Sequence, residues 1–143
     1  MERQMGLGEV MKRVDGLLEK RANASLAEDG VTLSQMSVLV FLDGEPQKRA
    51  EFKDLERALG VSQPTVAGLV SRLRKKGLVD VGASEERPRG KVASLTADGR
   101  RVCARAARKM DAEEEQMLAG FSERERGELL GLLGRVADNL REG

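Results

Sequence analysis

The sequence predicts a mostly α-helical chain that contains one small β-hairpin. Apolar residues recur every three or four positions through most of the 143 residues, which is the spacing of amphipathic helices. Two predicted helices are separated by the short turn Leu59-Gly60-Val61-Ser62, as in a helix-turn-helix. Two alternating segments follow directly and predict a hairpin. Together these features predict a winged helix-turn-helix flanked by N- and C-terminal helices.

Length and composition exclude most classes of enzyme. A chain of 143 residues corresponds to one domain and can form a core without disulfides or metal. It contains no His, Trp or Tyr and a single Cys, so most routes to catalysis or metal binding lack their usual residues. We therefore expect no enzymatic activity, no cofactor and no metal. The absence of a long apolar stretch and of a signal peptide predicts a cytoplasmic protein without membrane association.

Positive charge is concentrated in the middle of the chain. Residues 61–110 contain 12 basic and 4 acidic side chains, whereas residues 1–60 contain 9 and 11 and residues 111–143 contain 4 and 9. A basic region of this kind attracts polyanions and is typical of nucleic-acid binding. A solvated, charge-rich helical surface is the alternative explanation of the charge alone.

The first three helices are predicted from apolar spacing and end signals. Residues 4–27 form an amphipathic pattern, and a second helix follows a cap at Thr32 or Ser34. Its apolar residues at 36–42 are expected to be nearly buried, and Gly44-Glu45-Pro46 ends it. The third helix is predicted over residues 51–59. We expect its inward side chains to be Phe52, Leu55, Ala58 and Leu59, with Gly60 as a left-handed C-terminal cap.

Residues 61–76 predict the second helix of the helix-turn-helix. Ser62 is a candidate N-cap, and Pro64 is tolerated in a first turn. The predicted inward face contains Val66, Leu69, Val70 and Leu73. The opposite face is small, polar or basic and remains available to solvent or a ligand.

The segments 78–81 and 92–96 alternate like half-buried strands around a loop that contains Gly, Pro, Arg87, Arg89 and Lys91. A hairpin with a basic tip after a helix-turn-helix is a wing. A generic surface hairpin, kept soluble by its charges, is the alternative.

Two long helices complete the predicted chain. Thr96 is a candidate cap for a helix over residues 97–118, whose apolar stripe includes Cys103. Ser122 and Glu125 form a predicted capping box for the last helix. Its apolar residues are Leu129, Leu132, Leu133, Val136 and Leu140.

Four segments lie in an order and spacing that resemble a known family. They are Leu33 to Leu39, Leu55 to Val66, Leu69 to Val79 and Leu95 to Gly99. On these segments the sequence resembles the MarR family of bacterial transcriptional regulators over about residues 4–142.

The resemblance implies one MarR-like domain over residues 1–143. The winged helix-turn-helix would occupy about residues 32–96, between dimerisation helices at about 4–27 and 97–142. It implies a homodimer that binds double-stranded operator DNA. We expect a repressor on a pseudo-palindromic operator, with a small-molecule effector that relieves repression.

The predicted DNA-binding residues belong to the second helix of the helix-turn-helix and to the wing. Those expected at the major groove are Ser62, Gln63, Pro64, Thr65, Ser71 and Arg72, with Gln63 suited to adenine and Thr65 to a thymine methyl group. Those expected at phosphates are Arg74, Lys75 and Lys76. On the wing they are Arg87, Arg89 and Lys91, with Arg89 in the minor groove. Arg87 stands where the family wing usually has Asp.

The sequence is also compatible with another function, with a ligand pocket and with a redox role for its cysteine. The winged helix is also compatible with a protein-interaction module that binds no specific DNA. A ligand pocket is predicted at Leu17, Met36 and Val40. Cys103 is a possible redox sensor, but a thiol on an apolar stripe is usually buried and inert.

Overall fold

The computed structural model describes residues 3–141. The predicted end of the last helix at residue 142 lies outside the described residues. In chain order the elements are α1 (Leu7–Leu26), a 3-10 turn (Ala27–Asp29), α2 (Leu33–Gly44), β1 (Arg49–Glu51), α3 (Phe52–Leu59), α4 (Gln63–Lys75), β2 (Val79–Ala83), β3 (Lys91–Leu95), α5 (Ala97–Met117) and α6 (Glu123–Arg141). The predicted fold class, mostly helical with a small hairpin, is confirmed.

The chain forms two compact units, and the boundary between them falls after Met110, inside α5. The first unit contains the winged helix-turn-helix and one continuous hydrophobic core. Its largest fully buried side chains are Leu26, Leu39, Leu42, Leu55, Leu73, Val38, Val66, Val70 and Val79. All four predicted inward residues of α4 are buried, because their three-four spacing places them on one side of the helix.

The three strands form one antiparallel sheet in the order β1-β3-β2. The hairpin pairs Val79 with Leu95 and Ala83 with Lys91. Strand β1 was not predicted; it pairs Arg49 with Ser94 along the other edge of β3. Its three residues include no β-branched side chain, so the sequence contains no strand pattern here. The strand is defined only by its pairing with β3.

Several side chains differ from their predicted burial. Ala58 is exposed although it was expected to face the core. Val40 is 50% exposed, so the apolar segment of α2 is only partly buried. The N-cap of α2 is Thr32 and not Ser34: Thr32 Oγ1 accepts the Gln35 N–H at 3.2 Å. Gln35 Oε1 in turn accepts the Thr32 N–H at 3.3 Å, which completes a capping box.

The start of α5 packs very closely against the start of the hairpin. Thr96 Oγ1 caps the helix by accepting the Gly99 N–H at 3.0 Å, and it donates to the Gly77 carbonyl at 2.7 Å. A Cβ atom on Gly99 would overlap the Leu78 carbonyl oxygen and lie 2.8 Å from Leu95 Cδ1. This close approach requires glycine at position 99.

A buried carboxylate joins the 3-10 turn to α5 within the first unit. The Asp29 side chain is 6% exposed, and its oxygens lie 2.9 Å from Lys109 Nζ and 3.2 Å from Arg105 Nε. Lys109 Nζ also donates to the Ser25 carbonyl at 3.3 Å. The hydrogen bond from Lys109 holds the pKa of the Asp29 carboxyl below its usual range, against the opposing effect of burial.

Asp29→Asn should therefore destabilise the fold by about 1 to 3 kcal/mol at neutral pH, because it removes a charged acceptor from a buried pair. A carboxyl with a lowered pKa in the folded state stabilises the protein above its unfolded pKa of about 3.9 and loses that contribution as pH falls through the folded value. Urea unfolding at several pH values should show the two proteins converging below about pH 4. A difference that stays constant from pH 7 to pH 3 would contradict the assignment.

The second unit contains the end of α5 and all of α6. Ser122 Oγ accepts the Glu125 N–H at 3.1 Å, and Glu125 Oε1 accepts the Ser122 N–H at 3.0 Å, so the predicted capping box is confirmed. That second bond lowers the pKa of the Glu125 carboxyl. No residue of α6 is buried, and its exposed apolar side chains are Leu130, Leu132, Leu133 and Leu140.

Helix α1 also leaves apolar side chains uncovered. Only Ala22 and Leu26, near its C-terminal end, are buried. Its exposed apolar residues are Leu7, Val10, Met11, Val14 and Leu17. Among residues 3–141, no helix combines the length and the hydropathy needed to cross a membrane.

Candidate nucleic-acid interface

The N-terminal end of α4 presents a compact set of polar side chains. Ser62 is the N-cap: its Oγ accepts the Thr65 N–H at 3.4 Å and lies 3.0 Å from Thr65 Oγ1. Pro64 occupies the first turn, and Gln63 beside it is exposed. The cap fixes the two hydroxyl groups, and the N–H groups of the first turn give this end a partial positive charge. Such a helix end suits contact with polar base edges and phosphates.

The exposed face continues along α4 to its C-terminal end. Ser71, Arg72, Arg74 and Lys75 are all exposed. A Cβ atom on Gly68 would lie 3.3 Å from Arg72 Nη1, so the Arg72 guanidinium lies over Gly68, one turn earlier in the helix. The small residue at position 68 therefore leaves room for Arg72 close to the centre of this face.

Ala67 also belongs to this face, although it was not among the predicted residues. It is exposed and lies one turn from both Pro64 and Ser71. Its methyl group is of the kind that contacts thymine methyl groups in the major groove. Helical spacing from Pro64 and Ser71 places Ala67 on this face. However, alanine has no charge or side-chain hydrogen-bonding group that would suggest a contact with DNA.

Lys76, the last residue of the predicted basic face, is exposed and already has partners within the protein. Its ammonium group donates to the Gly30 carbonyl and to Gln35 Oε1, the latter at 2.8 Å. Lys76 is the C-cap of α4, and at that position its side chain reaches the turn before α2. These bonds hold α4 against the start of α2, and the phosphate contact of Lys76 stays a prediction.

The wing places its three predicted basic residues in different surroundings. Arg89 is exposed at the tip and has a φ of 61°, in the left-handed region. Lys91 is exposed at the start of β3. Arg87 instead lies with Nη1 3.1 Å from Glu51 Oε2, at the end of β1. This ion pair holds Arg87, whose side chain is 38% exposed, beside Glu51, and its contact with DNA stays a prediction.

Comparison with known proteins gives one family match and one similar regulator. A family model described as "MarR family" matches residues 29–90, which include α4 and the wing tip. The chain is 28% identical over 127 residues to the transcriptional activatory protein BadR of Rhodopseudomonas palustris, covering 87% of this chain and 73% of that protein. Residues 29–90 thus match the MarR family, and most of the chain is similar to a transcriptional regulator.

Solved structures show the MarR fold over nearly the whole chain. The structure of MepR from S. aureus in complex with DNA matches with a TM-score of 0.88 at 21% identity, over 96% of this chain and 99% of that one. PcaV from Streptomyces coelicolor, solved with its natural ligand, matches with a TM-score of 0.83 at 26% identity, over 96% and 98%. The predicted winged helix-turn-helix is thus confirmed.

A cavity of about 350 Å³ lies in the first unit of the chain. Its lining residues are Leu33, Met36, Ser37, Val40, Phe41, Leu59 and Met110. Met36 and Val40, two of the residues predicted for a ligand pocket, line this cavity. Leu17, the third, is 56% exposed on α1 and is not among the lining residues. The ligand pocket itself stays a prediction.

Cys103 lies in the core of the first unit. Its side chain is 3% exposed, and burial raises the pKa of its thiol. A buried thiol with a raised pKa forms little thiolate, the species that reacts with oxidants. Its position therefore favours packing over redox sensing.

Proposed function

We propose that the chain is a MarR-family transcriptional regulator that acts as a homodimer on a pseudo-palindromic operator. In this arrangement α4 enters the major groove and Arg89 enters the minor groove. The observation that carries the proposal is the exposed face of α4, where a capped helix end with Gln63 is followed by Arg72, Arg74 and Lys75. Base-reading groups at the helix start and cations towards its end match the division between base and phosphate contacts in DNA-binding helices.

Uncovered apolar faces support the homodimer. Helix α1 exposes Leu7, Val10, Met11, Val14 and Leu17, and α6 exposes four leucines. Apolar surface of this extent favours association with a second copy. We expect a dimer in sedimentation at micromolar concentration, with its recognition helices about 34–36 Å apart to match one turn of DNA. A monomer at that concentration would contradict this part of the proposal.

Repression is the proposed direction of regulation, because a dimer bound across a promoter blocks access to it. BadR is named an activatory protein, so the direction needs its own test. Transcription in vitro from a promoter that contains the selected operator should fall when the protein is added. A rise would make the protein an activator.

The cavity around Met36 and Val40 is the proposed effector site. Its lining contains no charged side chain, which suits a small, uncharged ligand. Screening such compounds for release of the protein from its operator tests this proposal. Val40→Phe, which partly fills the cavity, should abolish the release while operator binding persists. Release that is unchanged in Val40→Phe would place the effector elsewhere.

Lys75→Ala should weaken binding about equally on all duplex sequences and make the log–log salt dependence shallower by about one unit, because one phosphate contact releases about 0.9 counterion. Lys75 is exposed, and its side chain makes no hydrogen bond or ion pair within residues 3–141. Lys76→Ala is the matched control: since its ammonium is bound to Gly30 and Gln35, it should lower stability and change the slope less. An unchanged slope for Lys75→Ala would remove Lys75 from the interface.

The competing function is a protein-interaction module. The salt dependence of retention on duplex DNA distinguishes it from a DNA-binding regulator. A protein-binding wing should not retain generic duplex DNA, whereas the proposed regulator should retain it at low salt and release it as salt rises. The basic residues exposed on α4 and at the wing tip favour the regulator.

A further inference from the structure

The acidic side chain of Glu51 lies outside the wing but faces it. Glu51 is the last residue of β1 and the N-cap residue of α3, yet its side chain makes no capping bond to that helix. Its side chain is 13% exposed. One carboxylate oxygen accepts the Ser84 hydroxyl, and the other lies 3.1 Å from Arg87 Nη1. Both partners belong to the loop between β2 and β3.

Ser84 links this carboxylate to the backbone of the loop. Its Oγ donates to Glu51 and accepts the N–H groups of Glu86 at 3.2 Å and Arg87 at 3.0 Å. A hydroxyl has one proton and two lone pairs, so these three bonds use its full capacity. The position of Glu51 therefore determines how the first half of the loop is held.

The second half of the loop is closed on the first. The Ser84 N–H donates to the Gly90 carbonyl at 2.9 Å, and the Gly90 N–H donates to the Arg87 carbonyl at 3.0 Å. A Cβ atom on Gly90 would lie 2.9 Å from Ser84 Cβ, so the turn is tight. Arg89 lies inside this turn with a φ of 61°. A left-handed arginine is unfavourable on its own and persists only where the surrounding structure holds it.

We propose that Glu51 is a positioning residue for DNA binding, which holds the wing loop through Ser84 and Arg87 and thereby presents Arg89 to the minor groove. The inference rests on the proposed function, because it assigns Arg89 to DNA. It adds a residue that is remote in sequence from the wing and makes no contact with DNA itself.

Charge gives the test a clear sign. Removing a negative charge near DNA strengthens binding when only long-range electrostatics acts. Loss of the Glu51 bonds to Ser84 and Arg87 weakens DNA binding, because the wing loop that carries Arg89 must then become ordered when DNA binds. Glu51→Gln should therefore bind the selected operator about three- to tenfold more weakly. The matched control is Glu86→Gln, an exposed acid of the same loop, which should bind as tightly as the wild type or slightly more tightly.

A double-mutant cycle with Arg89→Ala tests whether Glu51 acts through Arg89. Arg89→Ala alone should weaken operator binding and leave the thermal midpoint nearly unchanged. In the Arg89→Ala background, Glu51→Gln should cause no further loss of affinity, whereas a general structural defect would add to it. Equal or tighter binding by Glu51→Gln, or a full additional loss in that background, would overturn the proposal.

Hydrogen exchange without DNA separates this inference from the proposed function. The amides of Glu86, Arg87 and Gly90 should exchange faster in Glu51→Gln, while those of α4 should not change. Unchanged exchange at these three amides would overturn the anchoring role whatever the DNA result. If the wild type binds no duplex DNA, the proposed function is wrong. The role of Glu51 in DNA binding is then wrong as well, even if hydrogen exchange shows that Glu51 holds the wing loop.

Discussion

Gly99→Ala should destabilise the first unit by about 3 kcal/mol or more, near the upper end for overpacked sites. The added Cβ would overlap the Leu78 carbonyl oxygen and press on Leu95 Cδ1. A backbone carbonyl cannot rotate away as a side chain can, so the start of α5 must move relative to the hairpin. The Thr96 cap would be disturbed as well, because its hydroxyl accepts the Gly99 N–H. Urea unfolding measures the loss.

Gly127→Ala is the matched control for the preceding substitution. Gly127 lies inside α6, and a Cβ atom there would meet nothing within 4 Å. The same chemical change should therefore raise stability by up to about 1 kcal/mol, because alanine favours a helix interior. If Gly99→Ala were as stable as the wild type, the close packing of α5 against Leu78 would be wrong.

Gln63→Ala should reduce binding to the selected operator by about 5- to 150-fold, the equivalent of about 1 to 3 kcal/mol for one bidentate base contact. Gln63 is exposed in the first turn of α4, next to a cap that fixes its neighbours. Its amide is suited to N6 and N7 of adenine. Binding to non-specific DNA should persist, because the substitution removes no charge. Competition between operator and random duplex DNA measures the effect.

The base preference of the variant decides what Gln63 does. Relaxed preference at one position in each half-site is the expected result. Gln116→Ala, at an exposed glutamine on α5 outside the recognition helix, is the control and should bind like the wild type. If Gln63→Ala selects the same sequence as the wild type, Gln63 reads no base, and specificity must come from Thr65, Arg72 or the shape of the DNA.

Helix α4 illustrates what local sequence can predict. Its cap Ser62, its first-turn Pro64 and its four buried residues act within one helix, and all were predictable from their spacing. The outer face followed from the inner one. Gly60 likewise ends α3 in the left-handed conformation expected of it, with a φ of 64°.

The features that sequence analysis missed depend on partners far along the chain. Lys76 looked like a continuation of a basic run, but it bonds to Gly30 and Gln35, more than 40 residues away. Arg87 looked like part of a basic wing tip, but Glu51 neutralises it. Strand β1 exists because β3 pairs with it. Charge patterns show which side chains are ionised, and only the fold determines which of them meet.

The sequence also does not determine which apolar faces are buried. An apolar stripe predicts that a face will be covered, but it does not identify the covering surface. The stripe of α4 is covered by the core of its own unit, whereas the stripes of α1 and α6 remain largely exposed. The same apolar pattern therefore indicates a buried face in α4, whereas in α1 and α6 we propose that it forms the dimer interface.

Selection from random duplex DNA, using the purified 143-residue protein, is the decisive test of operator recognition by a dimer. We expect enrichment of a pseudo-palindromic sequence whose half-sites are centred about 10 to 10.5 base pairs apart, one for each α4 of the dimer. The enriched sequence should bind in a salt-dependent manner. Recovery of sequences with no enrichment over the starting pool, or of a consensus without two-fold symmetry, would contradict it.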